Sequence, residues 1–199
     1  MRRELDFPWT LALALAAIAA TACALSSGTA HHLADVLVAD DRLARQPWRA
    51  LTGPLVHATW GHLVRDLALT LLVGAAYERE LRDRWLPLLG AALIAPTVAV
   101  LATGAAAYYG LSGVSHALIA AALGLELRRR RGGARIYVAV IASACAIKLL
   151  YEAASGGPAF PMDLGPHVRQ VPIAHLIGAL VGAAFGLCRI DGPRRLATT

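Results

Sequence analysis

The chain has 199 residues, of which 57% are hydrophobic and only 16% charged, with a mean hydropathy of +0.56. A soluble domain carries roughly 45–50% apolar and about 25% charged residues, so this is membrane-protein composition. It excludes a disordered chain and a disulfide-stapled secreted module and argues against a soluble enzyme. The formal charge of +6 comes from arginines clustered beside apolar segments, where they serve orientation in a bilayer and not nucleic-acid binding.

Apolar runs long enough to cross about 30 Å of hydrocarbon fall at 8–28, 61–77, 85–107, 112–127, 134–154 and 171–188, which predicts an all-α protein of six spanning helices. The first run follows Arg2-Arg3 and ends in the small residues Thr21-Ala22-Cys23-Ala24; being longer than a signal-peptide core, it reads as a retained anchor. Segment 29–60 holds His31-His32 and an apolar stripe of Leu33, Val36, Leu37 and Leu43, whose spacing predicts a short helix lying in the interface. The fourth run, 16 residues long, rises only about 24 Å and should begin inside protein, below one membrane surface. Residues 155–170 form a Gly/Pro loop. Cys23, Cys145 and Cys188 sit in apolar runs as small hydrophobes. No cofactor or metal is expected: His57 and His62, five apart, would splay on a helix.

Thirteen of the 19 Lys and Arg lie in segments 1–7, 78–84, 128–135 and 189–199, against four (Arg42, Arg45, Arg49 and Arg169) in the opposite loops. That bias predicts both termini in the cytoplasm. Arg128 to Arg131 then read as topology determinants that meet lipid headgroups.

Ionisable residues within spans are costly and mark functional sites. Here His62 and Asp66 share one face of the second run, Ser112, Ser115 and His116 open the fourth, and His175 lies a turn into the sixth. The orientation puts all of them in the outer third of the bilayer. Ser112 stands where a loop becomes a helix, so unpaired N–H groups and a partial positive charge await an oxyanion beside it. Gly110 and Gly113 on either side permit close backbone approach. The base that a serine nucleophile needs is available in His175. Its helix carries Gly178, Gly182 and Gly186, a small-residue face to match Gly113, Ala117 and Gly124. Ser115 lacks flanking glycines and reads as a packing serine.

Trp48-Arg49, His57, His62-Leu63-Val64-Arg65-Asp66, Gly110-Leu111-Ser112-Gly113 and Ala174-His175-Leu176-Ile177-Gly178 occur in an order that resembles the rhomboid family of intramembrane serine proteases. The pattern from Tyr108 to His116 is similar to the compact bacterial rhombosortase branch. The resemblance implies one six-helix domain over 1–199 with its motif-bearing core at 47–188, in a bacterial inner membrane. It implies a serine endopeptidase that cuts single-pass membrane-anchored proteins near the outer end of the spanning helix. Membrane lipids and those substrates are the implied partners. In that reading Ser112 is the nucleophile and His175 the general base and acid. The Ser112 backbone and His62 stabilise the oxyanion, and Trp48-Arg49 anchors the outer loop in the interface. Two positions depart from the family. Asp66 replaces the usual Asn and either donates as a neutral acid or orients His62. His116 replaces the usual Tyr, as a structural partner of His175 or an alternative base. The alternative function is a catalytically weak or inactive relative that binds transmembrane segments.

Overall fold

The computed structural model describes residues 8–26, 35–160 and 168–188. His31, His32 and Leu33, and much of the expected loop 155–170, lie outside them. Every apolar run becomes helix: α1 (Trp9–Leu25), α3 (Trp60–Ala102), α4 (Ser112–Arg129), α5 (Gly132–Ser155) and α6 (Pro172–Leu187). The short α2 (Arg49–Thr52) precedes α3. By length and composition α3 and α5 are apolar enough to cross a membrane, while α1 and α6 are shorter apolar helices.

The second and third runs merge in α3, which departs from helical geometry at Arg82 (φ 10°, ψ −89°). The connection expected at 78–84 is therefore a tight break at Arg82 between two helical limbs. The second limb returns to the end where the first begins, because Thr97 Oγ1 donates to the Ala50 carbonyl at 3.4 Å. It also stops at Ala102, short of the expected 107. Gly104, with φ +82°, turns the chain into β2 (Ala107–Tyr108).

β2 pairs antiparallel with β1 (Ala39–Asp40), and of the short helix expected within 29–60 the residues 35–37 are helical, with the strand bounding it on the C-terminal side. The stripe of Val36, Leu37 and Leu43 is interrupted where Ala39 and Asp40 take extended backbone. Asp40 then caps a 3-10 turn over Asp41–Ala44 by accepting from the Arg42 N–H.

The core lies around α4, which is buried from Gly113 through Leu125 along its α3- and α6-facing sides. α5 buries only Leu149 and Glu152 and turns Ile136, Tyr137, Val140, Ile147 and Leu150 outward, each more than 60% exposed. An apolar patch on that scale demands a nonaqueous neighbour.

α4 and α6 meet backbone to backbone. A β-carbon at Gly178 would overlap the Gly113 carbonyl, one at Gly182 that of Ala117, and one at Gly186 that of Ala121. Contacts that advance by four on both helices mean the two run parallel and in register. At their far end Arg84 donates to the carbonyls of Phe185 and Cys188, and Arg128 to those of Gly186 and Cys188. Both cations cap the C-terminus of α6. Arg129 pairs with Glu80 and Arg130 with Glu126, so three of the four arginines at 128–131 have protein partners besides any headgroup.

α1 is tied into the bundle at both ends. Glu78 accepts from the Trp9 N–H at 2.6 Å and from the Thr10 N–H at 3.2 Å. A carboxylate at a helix N-terminus satisfies orphan donors and meets the positive end of the dipole.

Candidate active site

Three helix N-termini converge on one cavity of about 720 Å³. The parallel register of α4 and α6 sets two of them. The first limb of α3 joins in the same sense, because His62 lies against Gly110, while Thr70, two turns further on, meets Ser115 at 3.0 Å. Ser112, His175, His62, Asp66 and His116 all line the cavity. Their partial positive charges add where the three helices start.

Ser112 is the first residue of α4. Gly110, just before it, has φ +101°, a conformation that L residues rarely adopt. A β-carbon there would lie 2.8 Å from the His62 ring. Gly110 therefore supplies both the turn into the helix and the room for His62. At Gly113 a β-carbon would meet Pro96 at 2.9 Å and the Tyr108 hydroxyl at 3.1 Å. That hydroxyl faces the Ser112 side chain and the Gly113 backbone. Tyr108 is a site residue that sequence patterning used only to begin a motif; its strand register is what aims it.

His175 lies one turn before Gly178, and helical side chains lean toward the N-terminus. The Gly113–Gly178 contact therefore carries its ring to the level of Ser112. His116 stacks on His175 with centroids 4.2 Å apart and planes 12° from parallel. Its Nδ1 lies 2.7 Å from the Ser112 carbonyl oxygen, which only accepts, so Nδ1 carries the proton. His116 Nε2 is then left as an acceptor for the Lys148 ammonium at 2.8 Å. That ammonium also reaches Glu152 Oε2 at 3.0 Å, and the same oxygen lies 3.0 Å from His175 Nδ1. Glu152 is 1% exposed. Neither it nor its link to His175 was visible in the sequence, where it is one acid four residues after Lys148 in an apolar run. The available signal was an ionisable residue inside a span.

Asp66 Oδ2 lies 3.4 Å from His62 Nε2 and 3.2 Å from His57 Nε2. The spacing argument that set His57 apart from His62 assumed one helix. His57 instead precedes α3 in extended chain, and the two rings meet edge to face with centroids 4.8 Å apart. His57 Nδ1 faces the Leu55 carbonyl at 3.1 Å and Thr21 Oγ1 of α1 at 3.1 Å. The ring nitrogens of the two histidines and the Asp66 carboxylate lie within 4.8 Å of one another. His62 Nδ1 is buried with no hydrogen-bond partner among the described residues.

Ser115 is 1% exposed and bonded to Thr70, to the Asp66 carbonyl at 3.3 Å and to the Leu111 carbonyl at 3.2 Å. Its hydroxyl is spent on helix packing. Trp48 stays exposed, but Arg49, expected beside it in the interface, is buried. It donates to Gln46 Oε1 at 2.6 Å and to the Val38 carbonyl, and lies 3.5 Å from Asp40. A guanidinium offers five donors to loop carbonyls that would otherwise go unpaired, which explains its turn inward.

Residues 44–191 match the family model described as Rhomboid domain. No curated protein matches the chain.

Proposed function

From the chain's membership of the rhomboid family, which the match over residues 44–191 establishes, we propose that it is an intramembrane serine endopeptidase acting through Ser112 and His175. Rhomboid domains belong to integral membrane proteins that are generally serine proteases acting on transmembrane substrates. The reading of this chain rests on one observation. Ser112 opens α4 on a cavity that His175 also lines, and the contact of Gly178 with Gly113 holds the two helices at that level.

In the reaction, Ser112 Oγ attacks the scissile carbonyl as His175 takes its proton. The oxyanion forms against N–H groups at the start of α4, with His62 alongside. His175 returns the proton to the departing amine, and water then cleaves the acyl-enzyme by the same route in reverse. Gly110 and Gly113 admit the substrate backbone, and His116 supports the His175 ring from beneath. The apolar outer faces of α1 and α5 support one domain of six spanning segments, and the 13-to-4 bias of Lys and Arg supports both termini in the cytoplasm. On that arrangement the cavity lies in the outer leaflet of a bacterial inner membrane, and substrates are single-pass proteins cut near the outer end of their helix. The pattern from Tyr108 to His116 supports the rhombosortase-like branch.

Labelling with a fluorophosphonate in lipid bilayers tests this. Wild type should label, and Ser112→Ala and His175→Ala should neither label nor cleave a single-pass model substrate. Labelling that survives Ser112→Ala removes Ser112 as nucleophile, and an unreactive wild type favours a protein that only binds transmembrane segments.

A further inference from the structure

Glu152 is a buried acid on the helix that is otherwise least embedded in the bundle. α5 buries only Leu149 and Glu152, and burying a carboxylate is costly unless its oxygens are satisfied. Here both are used. Oε1 accepts from the Ala159 N–H at 3.0 Å, just past the end of α5. Oε2 lies 3.0 Å from both His175 Nδ1 and Lys148 Nζ.

The hydrogen-bond pattern assigns the protons. A carboxylate only accepts, so His175 Nδ1 bears a hydrogen and donates it to Glu152. Nε2 of the neutral ring is then the unprotonated nitrogen, the form a general base requires. His116 cannot compete for the role, since Nδ1 donates to the Ser112 carbonyl and Nε2 accepts from Lys148.

We propose that Glu152 is a positioning residue for the reaction: it fixes the tautomer of His175, aims Nε2 at Ser112 and stabilises the imidazolium that forms when the serine proton arrives. This rests on the reading of Ser112 and His175 as the reacting pair. As the bond from Oγ to the scissile carbon forms, the Ser112 proton moves to Nε2 and Glu152 stays ionised throughout. Lys148 balances the buried carboxylate between turnovers. Because Glu152 is carried on α5 and bonded to the backbone at 159, the base is held only while α5 is seated against α6.

The test compares kcat and KM of wild type, Glu152→Gln and Glu152→Asp on a single-pass model substrate in proteoliposomes. The His175 ring is followed by 15N NMR of the same proteins. Glu152→Gln should lower kcat by roughly 10²-fold or more, with KM within about threefold, and should move or abolish the His175 Nδ1–H resonance. Glu152→Asp should recover part of the rate. Wild-type kcat in Glu152→Gln overturns the proposal. The NMR signal needs no turnover. If wild type proves unreactive to fluorophosphonate, the protease reading falls, while a His175 resonance unchanged by Glu152→Gln is what sinks the pairing itself.

Discussion

Gly178 on α6 sits so close to Gly113 on α4 that the first carbon of any side chain would overlap the Gly113 carbonyl oxygen. The contact repeats at Gly182 and Gly186, which makes the α4–α6 seam a close backbone contact with no slack. Gly178→Val should open the seam and cost more than the about 1–3 kcal/mol typical of overpacking. Melting temperature and cleavage should fall together. Gly90→Val is the matched control: on α3, a β-carbon there meets nothing within 4 Å, and its melting temperature should be near wild type.

Two glycines with positive φ separate backbone strain from loss of function. Gly104 (φ +82°) has open space around it, whereas Gly110 (φ +101°) has the His62 ring where a β-carbon would go. Alanine at either position should cost on the order of 1–2 kcal/mol in stability from the left-handed backbone alone. Only Gly110→Ala should also displace His62 and lower kcat, by about 10²-fold if His62 donates to the oxyanion. Equal kcat values for the two variants would detach His62 from the chemistry.

The loop around β1 carries a pH dependence of its own. Arg42, hydrogen-bonded to Asp40, holds that carboxyl below its ordinary value of 3.8, and Arg49 adds to the effect. A carboxyl with a depressed folded-state pKa contributes stability that is complete above its unfolded value and lost as the pH falls through the folded one. Hydrogen exchange in segment 38–45 should therefore be pH-independent, beyond the intrinsic rate, above about pH 5 and should accelerate below 3.8. Asp40→Asn should abolish the change. Persistence of the acid transition in that variant would assign it to another group.

Hydrophobic run length was enough to locate the helices, because a membrane-spanning segment is defined by what surrounds it more than by its partners. The same reasoning placed the break between the second and third runs at 78–84, where Arg82 turns the chain, but it could not see the pairing of Ala39 with Tyr108, since a two-residue strand leaves no periodicity. At the site, glycines flanking Ser112 and stepping by four from Gly178 signalled close approach within single stretches of chain. Glu152 and His57 gave no such signal. Their partners, His175 and Asp66, lie 23 and 9 residues away, and only the packing of α5 on α6 and the chain reversal before α3 bring them together. Arg49 looked like an interface residue because its loop carbonyls were invisible until the loop folded around it.

Asp66 offers the strictest test of the proposed oxyanion site. Its Oδ2 stands between His57 Nε2 at 3.2 Å and His62 Nε2 at 3.4 Å. His57 is itself fixed from behind by Leu55 and Thr21. The carboxylate thus links a fixed imidazole to one that lines the cavity, the geometry that the proposed orientation of His62 requires. Asp66→Asn keeps a hydrogen-bonding group of the same shape and should retain much of the activity. Asp66→Leu should lose roughly the 10²–10³-fold typical of deleting an oxyanion-hole donor or its support. If His57 acts through Asp66, His57→Ala should lose a comparable factor, and the double variant His57→Ala/Asp66→Leu should be no worse than Asp66→Leu alone, because residues in one network are not additive. Additive losses in kcat would separate the two residues. A fully active Asp66→Leu would leave Asp66 as no more than a polar lining of the cavity mouth.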